Sequence, residues 1–152
     1  MNGEKNFRNR PGINEGEPWH NDVDKNKISL IINQSDVTKM NEYAECLAKK
    51  YAPRDEKEKN IKLTTSQIRN ILDDVQRMKK EDIESGQHEL LRPKLAYIAG
   101  KSDKNNKSIR ELREILDFAL QNVGKDFNKF ENFRNFFEAI VGYHRFYSKV
   151  KD

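Results

Sequence analysis

Five cations in the middle of the chain have the type and spacing to do chemistry: Arg69, Arg77, Arg92, Lys94 and Lys101. Lys94 and Lys101 stand seven residues apart. On one side of a helix that is two turns, or about 10 Å, a separation that can follow successive phosphates of a nucleic acid. Arg69 and Arg77, eight apart, can do likewise, or can pair with Asp73 between them on an ordinary solvent face. The phosphate reading gains weight from segment 86–107, which holds Arg92, Lys94 and Lys101 among five basic residues against two acidic ones. No other stretch has a comparable excess. Point charges at this spacing hold an anionic strand without reading its bases.

Other chemistries find little support. His20, His88 and His144 are far apart and belong to no metal-ligand spacing. His144 falls among apolar helix positions, where a core histidine bonded through one ring nitrogen is expected rather than a catalytic base. Asp73 and Asp74 are adjacent, so on a helix they point about 100° apart and make a poor cation pair. Cys46 is the sole cysteine, which excludes an internal disulfide and a cysteine-based zinc cage, and it reads as a surface thiol. There is no glycine-rich phosphate loop and no nucleophile elbow. The expectation is a protein without catalytic residues, cofactor or metal.

Composition sets the frame for these sites. Of 152 residues 36% are charged and 35% hydrophobic, with net charge +4 and a pI of about 9.1. A core is feasible at this length, and the surface must be densely charged. So small an excess falls short of a histone-like single-sign field but permits a local basic face. Met1–Arg10 has no apolar signal region and no 18-residue apolar run occurs, so a cytoplasmic protein is expected.

The elements that must position the cations read as helices. Residues 1–34, with three glycines, two prolines and an isolated Trp19, read as a disordered polar arm, with Ile28–Ile32 an extended or helix-extending segment. From Ser35, the residues Val37, Met40, Ala44, Leu47, Ala48 and Tyr51 share a face. Ala52–Lys62 reads as a linker. Thr64 and Gln67 form a capping box, with Leu63 and Ile68 as a staple, and open a helix carrying Arg69 and Arg77. Leu90–Ala99 is the next helix, with Pro93 marking either its first turn or a kink and Gly100 at its C-cap. Lys94 there lies beside Leu90, Leu91 and Ile98, so it must snorkel or meet an anion. A second box, Ser108 with Glu111, opens a helix with the stripe Ile109, Leu112, Ile115, Leu116, Ala119, Leu120 and Val123, closed by Gly124. Five helices without a convincing strand predict an all-α compact bundle over 35–152, behind a disordered arm.

The last helix is unusual. Phe130, Phe133, Phe136, Phe137, Ile140, Val141, Tyr143, His144, Phe146, Tyr147 and neighbours sweep an arc of roughly 220°, wider than one core normally covers. The excess predicts a subunit interface at Phe133, Phe136, Phe137, Tyr143, Phe146 and Tyr147.

Three stretches in register carry a family likeness: Leu63-Thr64-Thr65-Ser66-Gln67-Ile68-Arg69, Pro93-Lys94-Leu95-Ala96-Tyr97-Ile98-Ala99-Gly100-Lys101, and Phe136-Phe137-Glu138-Ala139-Ile140-Val141-Gly142-Tyr143-His144-Arg145-Phe146-Tyr147. Over roughly residues 60–150 the chain resembles the small subunit of type III-A CRISPR effector complexes, the Csm small subunit. The resemblance implies a non-catalytic helical subunit that stacks in a few copies beside the backbone subunits of a ribonucleoprotein involved in antiviral defence. Its implied partners are guide RNA and target RNA, the backbone and large subunits, and further copies of itself. Two other readings fit the residues alone: a homodimeric adaptor joined through the aromatic helix, and a helix-turn-helix DNA binder using Gln67, Arg69 and Asn70.

Overall fold

The computed structural model describes residues 19–150. Seven α-helices lie among them: α1 Lys25–Gln34, α2 Val37–Tyr51, α3 Thr65–Arg77, α4 Lys80–Glu84, α5 Leu91–Lys101, α6 Lys107–Val123 and α7 Phe127–Tyr147. Short 3₁₀ turns occupy Glu56–Asn60 and Gln87–Leu90. The described residues contain no strand, so the all-α expectation holds, with two more helices than five.

The first added helix, α1, lies within the span read as a disordered arm. Asp24 caps it by accepting from the Lys27 amide at 3.0 Å, and Ser35 ends it with a left-handed φ of 55°. Its Ile28, Ile31 and Ile32 recur at helical spacing and are fully buried against α6 and α7. The arm reading is therefore corrected for residues 19–34. Its remainder, 1–18, lies outside the described residues, as do 151–152. The second addition, α4, follows a break at Met78 and buries Ile83.

Other boundaries follow from side chains that satisfy helix ends. Thr64 and Gln67 make the expected capping box at α3, and Leu63 and Ile68 are buried beside it. The far end of α3 is closed by the Arg134 guanidinium of α7, which donates to the Met78 carbonyl at 2.5 Å. The expected box at α6 is corrected, since Asn106 is the cap, accepting from the Ile109 amide at 3.1 Å, and Ser108 and Glu111 are buried inside the helix. Gly124 does end α6, with φ of 59°. Gly100 is not a cap, because α5 continues to Lys101 and ends at Ser102.

The width of the apolar arc on α7 has an internal explanation. This helix runs through the middle of the bundle and packs against α1, α2, α3, α4 and α6. Phe130, Phe133, Phe136, Phe137 and Ile140 are fully buried, and Tyr43 of α2 stacks on Phe136 with centroids 5.7 Å apart. A helix apolar around most of its circumference is a core helix. His144 is buried in the same face and its Nε2 donates to the Leu63 carbonyl at 2.6 Å, which ties α7 to the start of α3. His88 similarly donates to the Gly124 carbonyl at 2.6 Å.

One buried polar cluster holds the N-terminal strap, residues 19–24, to the bundle. The Glu111 carboxylate of α6, 4% exposed, accepts from Tyr51 Oη at 2.6 Å, Lys50 Nζ at 2.9 and 3.0 Å, Trp19 Nε1 at 3.0 Å and the Asp22 amide at 3.1 Å. Lys50 also reaches Asp22 at 2.7 Å and lies over the Trp19 ring. Tyr43 Oη donates to the Asp22 carbonyl at 2.6 Å. Burial, and then the charge of Glu111, push the Tyr51 phenol well above its ordinary value, and burial chiefly raises Tyr43 as well. The neutral phenols therefore favour the fold below the unfolded pKa of about 10. Above it the unfolded chain releases these protons first, and stability declines by up to about 1.4 kcal/mol per pH unit for each phenol. Denaturant midpoints measured from neutral pH upward should fall above about pH 10, and Tyr51→Phe should flatten that fall.

Candidate nucleic-acid interface

Helices α3 and α5 lie side by side and bring two of the five expected cations to one carboxylate. Asp74 of α3 accepts from Lys94 of α5 at 3.0 Å and from Arg77 of its own helix. Lys94 thus meets the anion its position demanded, and that anion is a side chain of the same molecule. Two cations on one carboxylate leave a net positive charge where the helices meet. Both Lys94 and Arg77 are largely exposed, so each ion pair is worth about 1 kcal/mol or less and yields readily to a stronger anion.

Arg69 and Lys101 are exposed and have no carboxylate partner among the described residues. Arg69 lies two turns before Arg77 on α3 and does not pair with Asp73. Lys101, at the last turn of α5, places its ammonium 5.4 Å from the centre of the Tyr97 ring. Beyond it the loop carries Lys104 and Lys107, both exposed.

Arg92 does not join this set. It lies two residues before Lys94, about 200° around the helix, and is engaged by α6: Nε donates to Asp117 Oδ1 at 2.7 Å and Nη2 to Oδ2 at 3.2 Å, with Glu89 at 3.3 Å. Partial burial raises the Asp117 pKa, but the bonds from Arg92 and Gln121 outweigh it and leave the carboxyl below its usual range. The bidentate geometry makes Arg92 a brace between α5 and α6.

The aromatic set divides in the same way. Phe133, Phe136 and Phe137 lie in the core and present no surface, so they are removed from the expected interface. Phe146, 77% exposed, does reach the surface, next to the partly covered Tyr143 and Tyr147. Tyr143 and Phe146 border a groove between α2 and α7 that is also lined by Asn41, Glu45, Ala139 and Gly142. Tyr147 donates its hydroxyl to Glu45 and stacks edge-on against Phe146 at 5.0 Å.

Two features lie beyond the expected site residues. Tyr97 is 68% exposed on α5 between Lys94 and Lys101, and its spacing of three and four from the two lysines is the sequence signal that marks it. The Glu111 cluster had a fainter one, since Glu111 lies four residues before the buried Ile115. Gln67, a candidate base-reading residue, is occupied at the α3 cap, where its carbonyl accepts from the Thr64 amide at 2.9 Å. Among the described residues no three His, Cys, Asp or Glu side chains gather to hold a metal, and no helix is long and apolar enough to cross a membrane.

A family model described as Csm2 Type III-A matches residues 34–150. No curated protein and no solved structure matches the chain.

Proposed function

The chain belongs to the Csm2 Type III-A family, and from that premise we propose that it is a non-catalytic, RNA-binding small subunit of a cytoplasmic type III-A CRISPR ribonucleoprotein. It stacks along the backbone subunits and contacts guide or target RNA through phosphates. The observation that supports this reading is the junction of α3 and α5, where Lys94 and Arg77 share the single carboxylate of Asp74 and Lys101, two turns along α5 from Lys94, has no carboxylate partner among the described residues. Guide-directed systems leave sequence to base pairing, so charge and duplex shape are sufficient for the protein. The apolar surface left at Phe146 and its groove is then the contact for neighbouring subunits or copies.

Asp74 makes the reading testable in both directions. Replacing Lys94 and Lys101 together by glutamate should weaken RNA retention and reduce the salt slope by about one for each lost phosphate contact. Asp74→Asn, which frees two cations from their internal anion, should tighten it. Filter binding across a salt series measures both, and circular dichroism should show the bundle unchanged. Retention indifferent to all three substitutions would remove this face from the interface.

A further inference from the structure

Tyr97 is the largest side chain exposed on α5, and its surroundings decide what it meets. Leu90, Lys94, Tyr97 and Lys101 fall within an arc of roughly 60° on the helix surface. Leu90 is also exposed, at 57%. Beside Tyr97 the helix offers an open ledge: a Cβ at Gly100 would meet nothing within 4 Å. Protein interfaces are enriched in tyrosine but depleted in lysine, because desolvating an ammonium is unfavourable. An exposed aromatic flanked by lysines on both sides, with Lys104 and Lys107 following, instead has the make-up of a single-strand nucleic acid groove, where bases stack on rings and cations follow the backbone.

We propose that Tyr97 is a stacking platform for the base of an unpaired RNA nucleotide, with Lys101 holding that nucleotide's phosphate. The proposal rests on the RNA-binding reading above and extends it from phosphates to a base. Lys101 already lies over the ring at 5.4 Å, so one nucleotide can engage both groups: its base covers a ring face while the ammonium turns to the phosphate. A duplex cannot use the platform, because its bases are stacked on one another and present no free π-face. The contact therefore favours unpaired segments and tolerates any base.

The test titrates the full chain against labelled oligouridylate and against an RNA duplex of equal length, read by fluorescence anisotropy. Tyr97→Ala should weaken oligouridylate binding roughly tenfold while leaving duplex binding and the salt slope unchanged, and Tyr97→Phe should behave as the parent protein. Lys101→Gln should lower the salt slope by about one. Oligouridylate binding that is the same with alanine at 97, or that falls equally with phenylalanine, overturns the stacking assignment. So does a Tyr97→Ala protein that keeps its RNA but loses the backbone subunits, which would make this face a protein contact. If the parent chain binds neither RNA, the proposed function falls with it, whereas parent binding that survives Tyr97→Ala removes the platform alone.

Discussion

Glu111→Ala is expected to destabilise the bundle by about 3–5 kcal/mol, the range for removing one partner of a buried ion pair, and to shift Trp19 emission to the red. Four donors converge on that carboxylate from α2 and from the strap: Tyr51 Oη, Lys50 Nζ, Trp19 Nε1 and the Asp22 amide. Without it the Lys50 ammonium keeps only Asp22 and the His20 carbonyl, both on the strap that the loss has loosened. Tyr51, fully buried, is left with an unpaired hydroxyl. Glu111→Gln should fall between parent and alanine, because the amide keeps the shape and part of the bonding but not the charge opposite Lys50. Trp19 is the only tryptophan, so its fluorescence reports release of the strap while a denaturant midpoint reports the bundle. An unchanged midpoint would show that Glu111 is not the anchor.

How far the sequence could be read depended on whether the deciding partner lay nearby in the chain. The α3 cap was legible because Thr64 and Gln67 satisfy each other within four residues. The α6 stripe was legible because all seven of its apolar positions are buried as spaced. Helix α1 was not, since three isoleucines in five residues favour a strand locally, and only docking on α6 and α7 makes them a helical face. That omission spread. With α1 set aside as an arm, α7 had too few neighbours to cover its rings, and the uncovered remainder looked like an interface. The width of the arc was real information, but it described the centre of the bundle rather than its outside.

The cations show the same limit. Spacing alone placed Lys94 and Lys101 on one side of α5, and the fold keeps them there. Segment charge, however, cannot register a carboxylate on another helix: Asp74 lies 20 residues before Lys94, and Asp117 lies 25 after Arg92. The first pairing leaves its lysine at the surface, while the second turns its arginine into a brace. That difference separates a cation left exposed from one committed to the fold.

A pair of phenylalanine truncations on α7 separates core from contact surface. Phe136 is fully buried and stacked on Tyr43, so Phe136→Ala leaves a cavity between α2 and α7 and should destabilise the protein by about 3–5 kcal/mol. Phe146, ten residues on, is 77% exposed, and Phe146→Ala should stay within about 0.5 kcal/mol of the parent. The two also predict opposite patterns in assembly. Loss of subunit association in Phe136→Ala should follow the unfolded fraction and recover when the temperature is lowered, because the affected rings never reach the surface. Loss in Phe146→Ala should appear with the fold intact, because truncation there removes apolar area from the rim of the Gly142 groove. Thermal denaturation beside co-purification of the backbone subunits measures both. Normal association by Phe146→Ala would show that the groove is not the contact, and a stable Phe136→Ala would contradict the central position of α7.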